Sequence, residues 1–314
     1  MYEWHRQIQI IVDEIDECIK HRDDEALTLR FLSRKMGYSE FHTTRKFKEI
    51  SGMQFRNYLR LRRLAFALIE VRDSSRSFLD IAVDYGFSSH EAFTRAFKQT
   101  YGITPKSYRK HPKPVILRTK IKPFDCYLLG IGEIGMIKST EEVKIYYVTI
   151  PAHKFMHIKN YESDGYFDFW EKQSQIPGQD GETIEGLLDS ITGKLDGKDD
   201  IIGLYSGQIM AHINESDGRV PECYGIRLAP DYNSDVPKPL TMVDVPEAEY
   251  IVFEHGPFSH DGEGETVGNK TLEAIANYDY TETAHELDNS PGRMAYFYYE
   301  PDKFYKHIKP VRKK

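Results

Sequence analysis

Apolar residues recur along the first 112 positions with the spacing of one helix face. Ile8, Ile11, Val12, Ile15 and Ile19 form such a stripe, because side chains three and four apart share a side of a 3.6-residue helix. Leu29, Leu32, Ser33 and Met36 hold a second stripe, and Gly37 after them suits the left-handed turn in which helices end. Ser39 is placed to cap a helix over about Ser39 to Ile50 that turns Phe47 and Ile50 inward and Thr44, Arg45 and Lys48 outward. The arrangement then returns. Phe78, Ile81 and Ala82 precede Gly86, and a helix from about Ser88 to Thr100 packs Phe93 and Phe97 while leaving His90, Glu91, Arg95 and Lys98 available. Between the two copies, Phe55 to about Val71 has no internal Gly or Pro and predicts one long helix.

The recurrence is a repeat in the residues themselves. Leu29-Arg30-Phe31-Leu32 and Gly37-Tyr38-Ser39 reappear 49 positions later as Phe78-Leu79-Asp80-Ile81 and Gly86-Phe87-Ser88. At an offset of 50, Arg45, Phe47, Lys48, Gly52 and Tyr58 meet Arg95, Phe97, Lys98, Gly102 and Tyr108. Two copies are too few for a solenoid and suit a duplicated helix-turn-helix unit.

The pattern changes after residue 112. Val148–Ile158 and Val243–Phe253, 95 positions apart, both read as a strand, a proline-marked break and a strand. Each precedes an acidic, glycine-containing loop and a probable helix, Tyr166 to Gln175 or Thr266 to Tyr278. Strands follow near Ile201–Ile213 and Glu222–Ala229, and again near Arg293–Tyr299 and Phe304–Pro310. The fold class expected is therefore two-domain. An all-α double helix-turn-helix domain spans 1–112, a linker and entry segment spans 113–144, and an α+β domain spans 145–314. The last is made of two β-α-β-β repeats with pseudo-twofold symmetry and helices on one sheet face.

Charge divides at the same place. The whole chain of 314 residues carries −7. Residues 1–112 hold 20 basic and 15 acidic side chains, against 22 and 34 in the remainder. From Thr28 to Pro112 the balance is +10, which fits a polyanion partner, although a solvated basic face gives the same count. Fifteen of the 21 tyrosines lie in the acidic half. No apolar run reaches the roughly 18–20 residues of a bilayer span, no secretory leader is readable, and Cys18, Cys126 and Cys223 lack disulfide or zinc spacing. A cytoplasmic protein with no membrane partner is expected.

Residues 28–109 resemble the DNA-binding domain of AraC/XylS regulators. The resemblance lies in Ile81-Ala82, Tyr85-Gly86-Phe87, Phe93-Thr94-Arg95-Ala96-Phe97-Lys98, Tyr101-Gly102-Ile103-Thr104-Pro105 and Tyr108-Arg109. The first copy is looser, with Met53-Gln54-Phe55 in place of the usual Thr-Pro. Residues from about 145 to 312 resemble a GyrI-like effector domain, the arrangement of Rob-type regulators, through Val245-Pro246, Phe253–Phe258 and Glu300-Pro301-Asp302-Lys303-Phe304. The resemblance implies a transcription regulator whose partners are double-stranded promoter DNA, a small-molecule effector and RNA polymerase, with no cofactor. It also implies that both helix-turn-helix units of one monomer enter successive grooves, which lie about 34–36 Å apart.

Phe41, Thr44 and Arg45 in the first outer helix and Ser89, His90 and Arg95 in the second are the candidates for base reading. An Arg fork matches the guanine O6/N7 edge, while Lys48 and Lys98 suit phosphates. A helix-surface ion pair is the competing reading of Arg45 and Arg95, and Glu91 is open between repelling phosphate and accepting from cytosine N4. For an effector cleft, the aromatic candidates are Trp170, Tyr205, Tyr224, Tyr250, Phe258, Tyr296 and Tyr298. Acid and aromatics together suit a flat apolar or cationic ligand, although sheet-core packing explains the same residues. GyrI-like cation binders carry a buried Glu in the strand before the Glu/Asp-Pro step, and Arg293–Tyr299 has no acid there. Glu222 is the substitute candidate, and with a neighbouring Tyr it also gives an alternative, small-molecule hydrolysis. A second alternative is a protein partner for this domain.

Three other motifs fail on context. Gly130-Ile131-Gly132-Glu133-Ile134-Gly135 matches a dinucleotide fingerprint, yet a strand-like run begins too soon after it for a crossover helix. His153 and His157 fall in a strand, where four residues span about 13 Å, so they are no metal pair. Asp261–Glu265 is too short for a calcium loop.

Overall fold

A computed structural model of the chain describes residues 2–22, 27–35, 37–121, 143–195, 207–256, 264–300 and 304–314. Two compact units emerge: 1–133 together with 182–190, and 134–181 together with 191–314.

In the first unit, α1 (Tyr2–His21) buries Ile8, Ile11, Val12, Ile15 and Ile19. Helices α2 (Leu29–Lys35) and α3 (Glu40–Ser51) flank the turn at Gly37, and α5 (Phe78–Asp84) and α6 (His90–Tyr101) flank the turn at Gly86. Both glycines have positive φ, 74° and 70°, a conformation that a Cβ disfavours. The long helix α4 (Phe55–Asp73) joins the copies, and α7 (Pro105–Lys110) packs against it. Its Arg62 is almost fully buried. Nε and Nη2 donate to Asp16 of α1 at 2.9 and 2.6 Å, and Nη1 donates to the Arg118 carbonyl. At the far end of α4, Arg76 pairs with Glu70 and with Asp84 of α5, both at 2.5 Å.

The stretch expected as a linker belongs to this unit as far as Ile121, the last described residue before 143. Val115 and Leu117 are buried in its core, and Lys120 pairs with Asp13 at 2.8 Å. A helix absent from the sequence reading, α9 (Gly181–Asp189), contributes to the same unit and buries Ile184, Leu187 and Leu188. Gly186 allows its close approach: a Cβ there would stand 2.2 Å from the Leu117 carbonyl oxygen. The Leu117 amide donates to the Gly186 carbonyl at 3.1 Å, and Arg72 of α4 donates to the Ser190 carbonyl at 3.0 Å.

The second unit is a nine-stranded antiparallel sheet. Its strands are β1 (Lys144–Ile150), β2 (His153–Asn160), β3 (Gln208–Ile213), β4 (Glu222–Leu228), β5 (Thr241–Val245), β6 (Ala248–His255), β7 (His285–Leu287), β8 (Met294–Glu300) and β9 (Phe304–Lys313). Their order is β1-β6-β9-β8-β3-β4-β2-β5, with β7 also on β9. Helices α8 (Tyr166–Ser174) and α10 (Gly264–Ala276) follow β2 and β6. Ile150 opposes Ala248 and His153 opposes Val245, so β1-β2 and β5-β6 form one continuous ladder across Pro151 and Pro246. That ladder dictates the shape of the sheet. β1 and β2 stand six strands apart in the order, about 29 Å in a flat sheet, while the two residues between them reach only about 11 Å. The sheet must curl.

Strand residues of one parity meet inside the curl, where Phe155, Ala211, Tyr250, Tyr296 and Ile308 share a core. His153 donates from Nδ1 to the Pro151 carbonyl and accepts at Nε2 from the Tyr296 hydroxyl at 2.6 Å, although β2 and β8 are three strands apart. His157 is buried on the same face opposite Gly225, where a Cβ would stand 2.2 Å from the Met156 carbonyl oxygen. Both histidines lie in β2, as expected, and among the described residues no cluster suited to a metal ion occurs.

Two outcomes follow from these cores. Asp16→Ala strands a guanidinium whose side chain is 10% exposed, and should lower the stability of the first unit by about 3–5 kcal/mol in denaturant melts. Arg62→Met combined with Asp16→Leu should recover most of that loss, since the charge is then removed with its partner. Burial pushes the His157 imidazole down to about 4, against an unfolded value of about 6.5. The unfolded chain therefore takes the proton first, and stability present above about pH 6.5 is lost as pH falls toward 4, by about 3 kcal/mol. His157→Gln should flatten that part of the pH–stability profile in thermal melts.

Candidate nucleic-acid interface and effector cleft

The outer helices of the two helix-turn-helix units are built alike. Ser39 accepts the His42 amide and Ser89 the Ala92 amide, and both helices end at left-handed glycines, Gly52 and Gly102. Positions 41–50 and 91–100 share one burial sequence, residue for residue. Phe47 and Phe97 fall inward at 0% exposure, while Arg45, Lys48, Arg95 and Lys98 are exposed. Among the described residues, none of these four cations makes a hydrogen bond or ion pair; Glu49 is engaged by Lys46 at 3.0 Å instead. The surface ion pair that competed for Arg45 and Arg95 is absent there.

The remaining candidates differ in how free they are. Phe41 is 79% exposed at the start of α3, a phenyl ring left in water. Thr44 donates to the Glu40 carbonyl at 2.8 Å, which occupies its hydroxyl. Ser89 is the helix cap, so its oxygen is occupied by the Ala92 amide. The His90 ring lies 6.2 Å from Phe78 in a stacked arrangement and 3.4 Å from the Thr94 hydroxyl. Glu91 is exposed with its carboxyl held below the usual range by a backbone amide and Ser89.

In the second unit the effector candidates separate by strand parity. Trp170 of α8 packs on Tyr224 of β4 with ring centroids 4.8 Å apart, on the outer, helix-bearing face. Glu222 lies two residues from Tyr224 and on the same face. Tyr250, Tyr296 and Tyr298 point the other way and fill the core inside the curl, so they do not join that set. Tyr205 and Phe258 lie outside the described residues, as does the glycine motif at 130–135; of Asp261–Glu265, only Gly264 and Glu265 are described, at the start of α10.

Burial raises the Glu222 carboxyl's pKa, but His212, Ser163 and the Gly165 amide together outweigh it and hold the group below its ordinary value. The Gly165 amide donates to Oε1 at 2.7 Å, and His212 Nε2 stands 3.5 Å from it. Beside His212 opens a cleft of about 490 Å³, also lined by Asn214, Arg219, Ala295 and Lys309. Lys309 has its pKa lowered by burial and makes no ion pair among the described residues. Along the same face, the rings of Phe297, Tyr305 and His307 meet edge-on or tilted, with centroids 4.9–5.5 Å apart. Burial, with Lys309 and His212 adding repulsion, pushes His307 down to about 4 and keeps it neutral. His212, Phe297, Tyr305, His307 and Lys309 were missed from sequence. Alternation in β8 and β9 divides the two faces but does not say which is interior.

A family model described as a helix-turn-helix domain matches residues 32–111. Regulatory protein SoxS of Salmonella typhimurium is 36% identical over 106 residues, which are 33% of this chain and 95% of SoxS. The transposon Tn10 TetD protein of Escherichia coli is 35% identical over 101 residues, 32% of this chain and 73% of that protein. The right origin-binding protein of Escherichia coli K12 is 41% identical over 90 residues, and the match spans 29% of this chain and only 31% of that protein's length. The family model covers the duplicated helix-turn-helix unit and the SoxS match spans nearly all of SoxS, so the chain belongs to the AraC-type helix-turn-helix family of DNA-binding transcription regulators.

Proposed function

We propose that this chain is an effector-responsive regulator in which α3 and α6 read two successive major grooves and the curled-sheet unit binds a small molecule. The observation that carries the DNA half is the matched, exposed presentation of Arg45 and Lys48 with Arg95 and Lys98, none with an ion pair among the described residues, on two helices of identical burial pattern. Helix α4, of 19 residues and hence about 28 Å long, is a stiff spacer of the right order for grooves one DNA turn apart. Arg45 and Arg95 take base edges, Lys48 and Lys98 take phosphates, and Phe41 and the Thr44 methyl offer apolar contact to thymine methyl groups. RNA polymerase is the partner such a promoter-bound protein would engage.

The sensing half rests on the outer-face cleft. Two β-α-β-β units related by a pseudo-twofold axis account for the strand order, which reads the same from either end when β1, β2, β3 and β4 exchange with β5, β6, β8 and β9. The ligand is small and aromatic or apolar. Among the described residues Lys309 is a lining cation with no ion pair, whereas the lining carboxylate Glu215 is held by Lys159 and Arg219 and the nearby Glu222 by an amide and an imidazole, so a carboxylate ligand is favoured over a cation. Those contacts also argue against Glu222 as a hydrolytic base, because a carboxyl held below its ordinary pKa is a weaker proton acceptor.

Two measurements test the reading. In gel shifts with a selected duplex and a random one, Arg45→Ala and Arg95→Ala should each cost about 1–3 kcal/mol on the selected site and less on the random one. Equal losses on both would reduce these arginines to phosphate contacts. In thermal-shift titrations, an aromatic carboxylate such as 2-naphthoate should raise the melting temperature of the full chain, and Lys309→Met should remove the shift. A shift produced only by an aromatic quaternary ammonium ion would reverse the assignment of charge.

A further inference from the structure

The connecting helix does more than set a distance. Arg56, Arg60 and Arg63 follow one another on α4 at spacings of four and three, which places them along one edge of the helix. They line a cleft of about 390 Å³ whose opposite wall includes Gly86, Ser88 and Ala92, the turn and first positions of the second outer helix. Among the described residues, no acidic side chain lines this cleft. Arg60 donates to Asn57 Oδ1 at 3.0 Å, and among the described residues neither Arg56 nor Arg60 forms an ion pair.

Gly86 shapes the cleft. The Arg63 guanidinium lies directly over it, so that a Cβ at 86 would stand 2.6 Å from Nη1 and 2.7 Å from Cζ. The equivalent turn of the first unit provides a contrast. Gly37 has nearly the same φ, 74° against 70°, and among the described residues nothing lies within 4 Å of its Cβ position. A glycine is needed at both places for the turn, but only at 86 does it also admit a cation. Ala92 is three residues from Arg95, so the cleft opens beside the edge of α6 that carries that exposed arginine.

We propose that this arginine-lined cleft is a phosphate seat, occupied by the duplex backbone where it passes between the grooves entered by α3 and α6. The inference rests on the DNA-binding reading above and adds a site outside both outer helices. Planar guanidinium forks pair two donors with the oxygens of a phosphodiester, and they do so without regard to sequence. The seat would fix the register of the DNA between the two reading heads, so that bases at each end are presented to α3 and α6 together.

The test is fluorescence anisotropy of a labelled 30-base-pair random duplex titrated with the full chain from 50 to 200 mM KCl. Each phosphate contact contributes about 0.9 to the slope of log K against log salt, or roughly 3.5-fold in affinity over this range. Arg60→Ala and Arg63→Ala should each lower the slope by about one, with equal losses on selected and random duplexes, whereas Arg63→Lys should keep most of it. Gly86→Ala should lower the slope and Gly37→Ala should not, although the two strain the backbone alike. Arg312→Ala, which removes an exposed cation from the other unit, supplies the control for net charge. Arg63→Gln, checked by its thermal melt, covers the case in which an alanine variant fails to fold. Slopes indistinguishable from the Arg312→Ala control would overturn the seat while leaving the regulator reading intact. Competition by millimolar pyrophosphate with unchanged slopes would overturn it in favour of a free anion. Wild-type chain that binds no duplex at any salt would remove both readings at once.

Discussion

The helical unit is organised around a charge that cannot reach water. Arg62 sits in the middle of α4, where its guanidinium is divided between the Asp16 carboxylate on α1 and the Arg118 carbonyl on the segment beyond α7. A buried guanidinium is tolerated only when its donors are satisfied. Two chain segments far apart in sequence are therefore held against one helix, and that helix links the two helix-turn-helix copies. The Arg76 bridge to Glu70 and Asp84 performs a similar service at the other end, fixing α5 to the last turns of α4. An anchored α4 is the precondition for any geometry of recognition that depends on two heads at a set distance.

The sheet unit is governed by a different constraint, chain reach. Two short proline-marked breaks join strands that a flat sheet would hold far apart, so curling is obligatory. Once it curls, alternate residues acquire opposite fates. Tyr296 becomes a core ring that hydrogen-bonds His153 across three strands, while its neighbour Phe297 faces outward to Tyr305 and His307. A run of aromatics that looks uniform in sequence is thus divided between the core inside the curl and the outer face.

Helix α9 connects the two accounts through the chain itself. It begins at Gly181, which packs on Trp170 of the outer face, and Ser190 just after it accepts from Arg72 on the connecting helix. Residues 182–190 are integrated into the helical unit by buried Ile184, Leu187 and Leu188 and by a glycine whose missing side chain admits the Leu117 backbone. Residues 182–190 thus belong to the helical unit although they lie in sequence between two stretches of the sheet unit.

Much of this was readable in the residues because it depends on local periodicity. The five isoleucine and valine positions of α1, the Ser caps and positive-φ glycines of the two turns, the uninterrupted α4 and the proline-broken strands each follow from spacing within a few residues. Arg45 and Arg95 were legible for the same reason, since a 50-residue repeat of a helix repeats its outward face. Long-range facts were not legible. Arg62 differs little from Arg60 and Arg63 in sequence, yet one is buried against Asp16 and the other two line an open cleft. Tyr296 and Phe297 are adjacent aromatics whose roles part only when the sheet closes. Helix α9 lies in a polar stretch held by segments about 70 and 120 residues away. Spacing determines which residues share a face, but which face meets water is settled by what packs against it, and that is a property of the folded chain alone.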